Sequence, residues 1–214
     1  MIICGLDLSG PSNTAETVLV LFGVDDGGLR LNSLHERVTD SKINEIVHEA
    51  STEDTIVIGI DAPLSYNPGG GDRAGDSSLR ALIVANGLQP GTVMPPTAPR
   101  MVYLTLRGVV VARSLEAICG EAIKIVEVHP SAAMVLRGAV PEQVRMFPKS
   151  HESRSQLRQW LSTRGLKGLE FLQDLSEHAV AACACALGAW KWHTDESVWI
   201  QKAAPPHHPY DFAC

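Results

Sequence analysis

Three apolar runs in the sequence each carry one acidic residue near their end. The runs cover residues 2–8, 55–61 and 122–128. Their acids are Asp7, Asp61 and Glu127. Apolar runs of this length, rich in β-branched residues, are typical of strands buried on both faces of a sheet. A carboxylate there is costly unless a cation or strong hydrogen-bond donors compensate its charge. We therefore predict one sheet that holds three carboxylates at a common edge.

The pattern between the first two runs predicts an antiparallel meander followed by a helix. Residues 16–23 and 29–38 read as strands, and the Asp-Asp-Gly-Gly link between them is a hairpin signal. A helix capped by Thr39 or Asp40 extends to about Ala50, because its apolar residues recur every three or four positions. A helical crossover makes the next strand parallel to its neighbour. This is the plan of an RNase H-like fold, an α/β fold whose mixed sheet is flanked by helices.

The rest of the chain is predicted to be mostly helical. Glycine and proline make residues 62–76 an irregular loop. Further helices are predicted over residues 77–86, 101–119, 130–137, 142–147, 150–163 and 174–192. The last of these is small and apolar all round, so we expect it to be buried against the sheet. We predict a single RNase H-like domain over residues 1–193 with a helical insertion at about 77–120, then an irregular tail over 194–214.

Composition favours a cytoplasmic protein with free thiols. The 214 residues, 45% of them hydrophobic, suit one sizeable core. The five cysteines are odd in number, lie mostly in apolar runs and lack metal-ligand spacing. No signal-peptide pattern opens the chain, and no uncharged run reaches the roughly 20 residues of a membrane span. Nothing in the composition fixes an oligomeric state.

Charge leaves two interpretations of the surface open. The formal net charge of -6 would repel nucleic acid as a whole-molecule field. Lys and Arg nevertheless outnumber Asp and Glu between Arg100 and Lys167. This excess predicts either a surface that faces phosphates or the solvated faces of mixed helices.

The three strand-end acids predict a site for Mg²⁺ or Mn²⁺. These ions prefer carboxylate oxygens and keep waters that phosphate oxygens can replace. Two such ions can stabilise the attacking and leaving oxygens of a phosphodiester displacement. A single buried acid is more often a cap or an ion-pair partner, but clustered carboxylates cannot all ionise cheaply without a cation.

The start of the last helix adds a candidate proton carrier. Asp174, Glu177 and His178 share a face, since they lie at i, i+3 and i+4. His178 could complete the metal ligands or relay a proton near neutral pH. Alternatively, Ser176 or Asp174 caps the helix and the acids favour its N-terminal dipole.

Four residues are candidates for substrate binding. Arg73, Asp76 and Arg80 follow a triple glycine, and arginine suits bidentate phosphate contacts. An ordinary Asp-Arg surface pair is the alternative. His129 lies beside a predicted helix N-terminus, where an anion is favoured. The glycine run itself lacks the Gly-Lys-Ser/Thr ending of a P-loop.

Five motifs together resemble a known family. They are Gly5-Leu6-Asp7, Ile58 to Leu64, Asp72 to Asp76, Val126 to Pro130, and the Ala/Cys-rich closing helix that ends at Ala189-Trp190. In order and spacing they resemble the domain of unknown function 429 family, described as predicted RNase H-like nucleases. The resemblance covers most of the chain.

The resemblance implies metal-dependent phosphodiester cleavage of nucleic acid, with Asp7, Asp61 and Glu127 as metal ligands and catalytic residues. This sequence departs from the family pattern in the last helix. Relatives tend to carry aspartates there, where this chain has His178 and Ala181. Two alternatives stay open: an actin-like ATPase or phosphotransferase, which usually needs two copies of the fold, and an RNase H-like binding protein without catalytic activity.

Overall fold

The computed structural model describes residues 1–172 and 174–214. The centre of the fold is strand β1 (Ile2–Asp7). It pairs antiparallel with β2 (Val18–Asp25), which pairs antiparallel with β3 (Gly28–Glu36). Helix α1 (Asp40–Ser51) leads to β4 (Ile56–Asp61), which lies parallel to β1 on its other side. The predicted meander, the helix and the parallel fourth strand are therefore confirmed.

The second half of the chain extends the sheet beyond β4. Helices α2 (Ala74–Ala85) and α3 (Val102–Cys119) precede β5 (Ile123–Val128), which is parallel to β4. The remaining helices and the strand β6 follow in this order: α4 (Pro130–Val135), α5 (Pro141–Met146), α6 (His151–Thr163), β6 (Leu166–Lys167) and α7 (Glu177–His193). The result is one mixed sheet flanked by helices, with strand order β6-β3-β2-β1-β4-β5, extended beyond β5 by two short strands near the end of the chain.

The sequence led us to expect an irregular tail after residue 193, but the structure has two short strands in this segment. It contains β7 (Ile200–Gln201) and β8 (Asp211–Ala213), and β8 pairs in parallel with β5. Strands of two and three residues, separated by a proline-rich segment, are too short to show a hydrophobic period. They form because β5 offers unpaired backbone groups and Phe212 packs into the core.

Each face of the sheet buries its own hydrophobic cluster. One cluster contains Ile3, Val57 and the small residues of α7. The other contains Cys4, Ile58 and residues of α1 and α3. Successive residues of β1 and β4 thus alternate between the two faces, as strand geometry requires.

Helix α7 lies unusually close to β1 and β4 because the facing strand positions are glycines. A Cβ atom on Gly5 would lie 1.9 Å from the carbonyl oxygen of Ala182, and one on Gly59 would lie 2.5 Å from that of Cys185. The predicted burial of this helix is confirmed, since residues 179–189 are all buried. This contact fixes the first turn of α7 near the end of β1.

The cysteines are free thiols, as their number and positions in the sequence predicted. All five cysteines are free, and four of them are buried. Within residues 1–172 and 174–214, no helix combines the length and the apolar character that crossing a membrane requires.

Candidate functional site

Two aspartates end neighbouring parallel strands at the same edge of the sheet. Asp7 is the last residue of β1, Asp61 is the last residue of β4, and the two are direct partners in the register. Direct partners in a parallel pair project from the same face, so the two carboxyl groups are neighbours. They lie on the face that α7 covers, because Gly5 and Gly59, two residues earlier, both contact that helix. The structure therefore brings these two predicted site residues together.

His178 joins the pair from the first turn of α7. Its Nδ1 lies 2.7 Å from Oδ2 of Asp7, and its Nε2 lies 3.9 Å from carboxylate oxygens of Glu16 and Glu177. Ser176 caps the helix, since its Oγ accepts a hydrogen bond from the N–H of Ala179. The capping alternative and the contact between His178 and the strand-end acid are therefore both realised.

The Asp7–Asp61 pair brings two acidic groups close together in a buried place, where ionising both is unfavourable. The pKa of Asp61 is raised well above its usual value, first by burial and then by the neighbouring Asp7 carboxylate. The pKa of His178 is also raised, mainly because Asp7 hydrogen-bonds to the imidazole. Both raised pKa values mean that Asp61 and His178 hold their protons more tightly here than they would in free solution. A divalent cation could replace these protons as the compensating positive charge.

Glu127 is not a register partner of either aspartate, although its carboxylate is near enough to help raise the pKa of Asp61. Its direct partner on β4 is Ile60 rather than Asp61. Since side chains alternate along a strand, Glu127 leaves the sheet on the face opposite to Asp7 and Asp61. Among the residues that the structure describes, no three His, Cys, Asp or Glu side chains are placed to hold a metal ion.

Glu127 is instead bound by Arg73 in a buried ion network. Arg73 Nη2 donates to Oε1 at 2.5 Å and Nη1 donates to Oε2 at 2.7 Å, while the N–H of Leu64 donates to Oε2 at 2.9 Å. Arg73 also donates to both oxygens of Asp76, its partner in the first turn of α2. Burial would lower the pKa of Arg73, but the two carboxylates raise it overall. Ligation of a metal by Glu127 would require this network to open.

The other predicted substrate-binding residues also have partners within the protein. Arg80 donates to Asp72 at 2.6 and 2.7 Å and to the carbonyl oxygen of Val93. His129 Nε2 lies 2.9 Å from the carbonyl oxygen of Thr92, and burial lowers the pKa of this histidine. The Arg73–Asp76 pair, for which a surface ion pair was the alternative, is buried. Contact of Arg73, Asp76, Arg80 or His129 with a substrate stays a prediction.

Comparison with known protein families gives one match that covers most of the chain. A family model described as "Protein of unknown function (DUF429)" matches residues 5–206. The chain belongs to the DUF429 family. The matched region contains Asp7, Asp61 and His178, so the DUF429 match covers the whole strand-end site. No curated protein matches the sequence significantly.

Sequence reasoning missed an arginine that supports this edge of the DUF429 fold. Arg107 on α3 is buried, and its Nη1 donates to the carbonyl oxygen of Ser9 at 2.7 Å and to Thr17 Oγ1 at 2.8 Å. Its Nε donates to Asp40 at 2.8 Å. These bonds tie the turn after β1 to α1 and α3. A charged residue within an apolar stretch of a predicted helix was the available signal.

Replacing Asp61 by Asn should stabilise the metal-free protein at neutral pH but not in acid. The folded-state pKa of Asp61 lies above its usual value of 3.8, so ionisation costs stability as pH rises from that value through the raised pKa. The neutral amide of the variant avoids this cost. We expect a gain of about 1 kcal/mol, or about 2–4 °C, near pH 7.5 in thermal unfolding with EDTA, and little gain near pH 4.

Asp25→Asn is the matched control, and its expected effect on stability at neutral pH is the opposite of that of Asp61→Asn. Asp25 also ends a strand, but the hydrogen bond from Lys167 lowers its pKa. Its contribution to stability is present above the usual pKa and is lost in acid, so this substitution should lower stability at pH 7.5. Equal stability of the Asp61→Asn variant and the unsubstituted protein at pH 7.5 would show that the Asp61 carboxyl group is not under electrostatic stress.

Proposed function

We propose that this DUF429 protein is a metal-dependent nuclease that hydrolyses phosphodiester bonds of DNA or RNA. The observation that carries the proposal is the register pairing of Asp7 with Asp61 at the ends of two parallel strands, with His178 in contact with Asp7. Clustered carboxylates at strand ends, joined by an imidazole, are typical of sites for phosphoryl chemistry with Mg²⁺ or Mn²⁺.

The order and pairing of the elements support an RNase H-like assignment of the fold. An antiparallel three-strand meander, a helix and a strand parallel to the first are the elements of that plan. In such an arrangement, acids at the ends of β1 and β4 and a residue of the closing helix come to one edge. The assignment predicts which three residues matter most, and they are Asp7, Asp61 and His178.

The donor set fits a hydrated ion rather than a fully protein-bound one. Mg²⁺ is usually held by one or two carboxylates, with waters and substrate phosphates completing the octahedron. Asp7 and Asp61 supply that number, and His178 contacts Asp7 through Nδ1 beside them. When bound, the ion would polarise the phosphoryl oxygen and neutralise its developing charge. Glu127 could serve a second ion only after its bonds to Arg73 opened.

His178 is placed to hold a proton near the reacting atoms. The contact with Asp7 fixes the orientation of the imidazole and raises its pKa. Its Nε2 points toward the exposed side chains of Glu16 and Glu177 rather than into the core. A histidine with a raised pKa can protonate a leaving oxygen near neutral pH, which supports a role as general acid.

Cleavage assays with and without metal test the proposal. Labelled single- and double-stranded DNA and RNA would be incubated with the protein in millimolar MnCl₂, MgCl₂ or EDTA. We expect cleavage with Mn²⁺ or Mg²⁺, loss of cleavage in EDTA and recovery when metal is restored. No cleavage, together with no rise in melting temperature on adding Mn²⁺, would contradict the proposal and favour an RNase H-like binding protein without catalytic activity.

A further inference from the structure

A cavity of about 200 Å³ lies beside the strand-end site, and Asp61 forms part of its wall. Its lining includes the apolar side chains of Val93, Met94, Met101 and Leu104. An apolar protein cavity of about 150 Å³ can hold a benzene ring. This cavity therefore has room for one planar heteroaromatic ring, and methionine sulfur atoms make favourable contacts with aromatic rings.

The charges of the cavity select against an anion inside it. Three carboxylates, those of Asp61, Asp76 and Glu127, line the cavity together with one guanidinium, that of Arg73. The guanidinium already donates to two of these carboxylates. A phosphate group would therefore be repelled from the interior, whereas a neutral ring that carries N–H donors would be accepted.

We infer that this cavity receives one nucleobase of the substrate while the adjoining phosphate binds the divalent ion that Asp7 and Asp61 would hold. This inference rests on the proposed nuclease function and specifies its substrate as an unpaired nucleotide. A base can enter such a cavity only after it leaves the stack, which costs least in single-stranded or damaged nucleic acid. The placement of Asp61 in both the cavity wall and the carboxylate pair links the two subsites.

Binding of mononucleotides tests the inference directly. The probes are the four 2′-deoxynucleoside 5′-monophosphates and 2-deoxyribose 5-phosphate, which has the same phosphate and sugar but no base. Affinities would be measured by calorimetry with MnCl₂ present. We expect at least one nucleotide to bind about tenfold more tightly than the sugar phosphate, since a stacked base contributes about that much.

A space-filling variant and a matched control identify where the base binds. Met94 lines the cavity, so Met94→Trp should fill part of its volume and reduce the ratio of the two affinities to about one. Val110→Trp adds the same side chain on the exposed face of α3, where Val110 is 62% exposed, and should leave the ratio unchanged. Because the ratio is measured within each variant, a general loss of active protein cancels, and thermal unfolding confirms that both variants fold.

The outcomes separate this inference from the proposed function. Nucleotides that bind no better than the sugar phosphate, or a preference that survives Met94→Trp, would overturn the cavity as a base site even if nucleic acid is cleaved. A preference that Met94→Trp removes, in a protein that cleaves nothing, would support the base site and contradict the nuclease.

Discussion

Asp61→Asn should reduce metal-dependent cleavage by about 10³-fold or more while the protein stays folded. The substitution removes one of two adjacent carboxylates that would hold the ion, and loss of metal assistance costs several kcal/mol of transition-state stabilisation. Asn retains the size of the side chain and, as argued from the raised pKa of Asp61, relieves electrostatic stress at neutral pH. Initial rates with MnCl₂, measured beside melting temperatures, would therefore show opposite effects on activity and on stability.

Asp25→Asn provides the control for cleavage as well. It makes the same chemical change at the end of β2, which runs antiparallel to β1, so Asp25 lies at the other edge of the sheet. Its rate should match that of the unsubstituted protein. Asp7→Asn should be as damaging as Asp61→Asn, and it also removes the carboxyl group that contacts His178. Undiminished cleavage in the Asp61→Asn preparation would point to a contaminating nuclease and contradict the assignment of the site.

Arg73→Met should destabilise the protein by about 3–5 kcal/mol, or by roughly 6–20 °C in melting temperature. Arg73 is the shared partner of Glu127 and Asp76, and all three side chains are less than one-tenth exposed. Removing the guanidinium leaves two buried carboxylates that repel each other and have lost their main donors. Chemical denaturation at neutral pH would measure the loss.

Arg80→Met is the matched control, since Arg80 lies on α2, the helix that begins directly after Arg73. Arg80 pairs with Asp72, but both side chains are about one-quarter exposed, so water screens the pair and its loss should cost less than about 1 kcal/mol. Converting Glu127 and Asp76 to neutral Gln and Asn in the Arg73→Met background should recover part of the stability, since the unpaired charges are then absent. Equal effects of Arg73→Met and Arg80→Met would contradict a structural role for the buried network.

The sequence was sufficient to predict the parts of the site that depend on strand order. A run of apolar residues that ends in an acid predicts a buried strand, and a helix between β1 and β4 predicts that they are parallel. These two statements already place Asp7 and Asp61 at one edge. The Ala/Cys-rich composition predicted that α7 packs against the sheet, which brings His178 to that edge.

The position of Glu127 could not be predicted, because it depends on a shift of one residue in register. Apolar runs on both sides of an acid look the same whether its partner is Ile60 or Asp61, yet the face on which it emerges is reversed. The partnership of Arg73 with Glu127 spans 54 positions of the chain and leaves no local pattern. The short strand β8 depends in the same way on a distant partner rather than on its own residues.

The close approach of the α7 backbone to Gly5 and Gly59 makes the placement of the imidazole depend strongly on the backbone. At these two positions the nearest helix atoms are main-chain atoms, which cannot rearrange as the end of a flexible side chain could. A single added methyl group at either position would push the helix outward as a unit. The contact between His178 and Asp7 is therefore set by two glycines that do not touch it, and substitution of either glycine should first alter this contact, on which the proposed proton transfer depends.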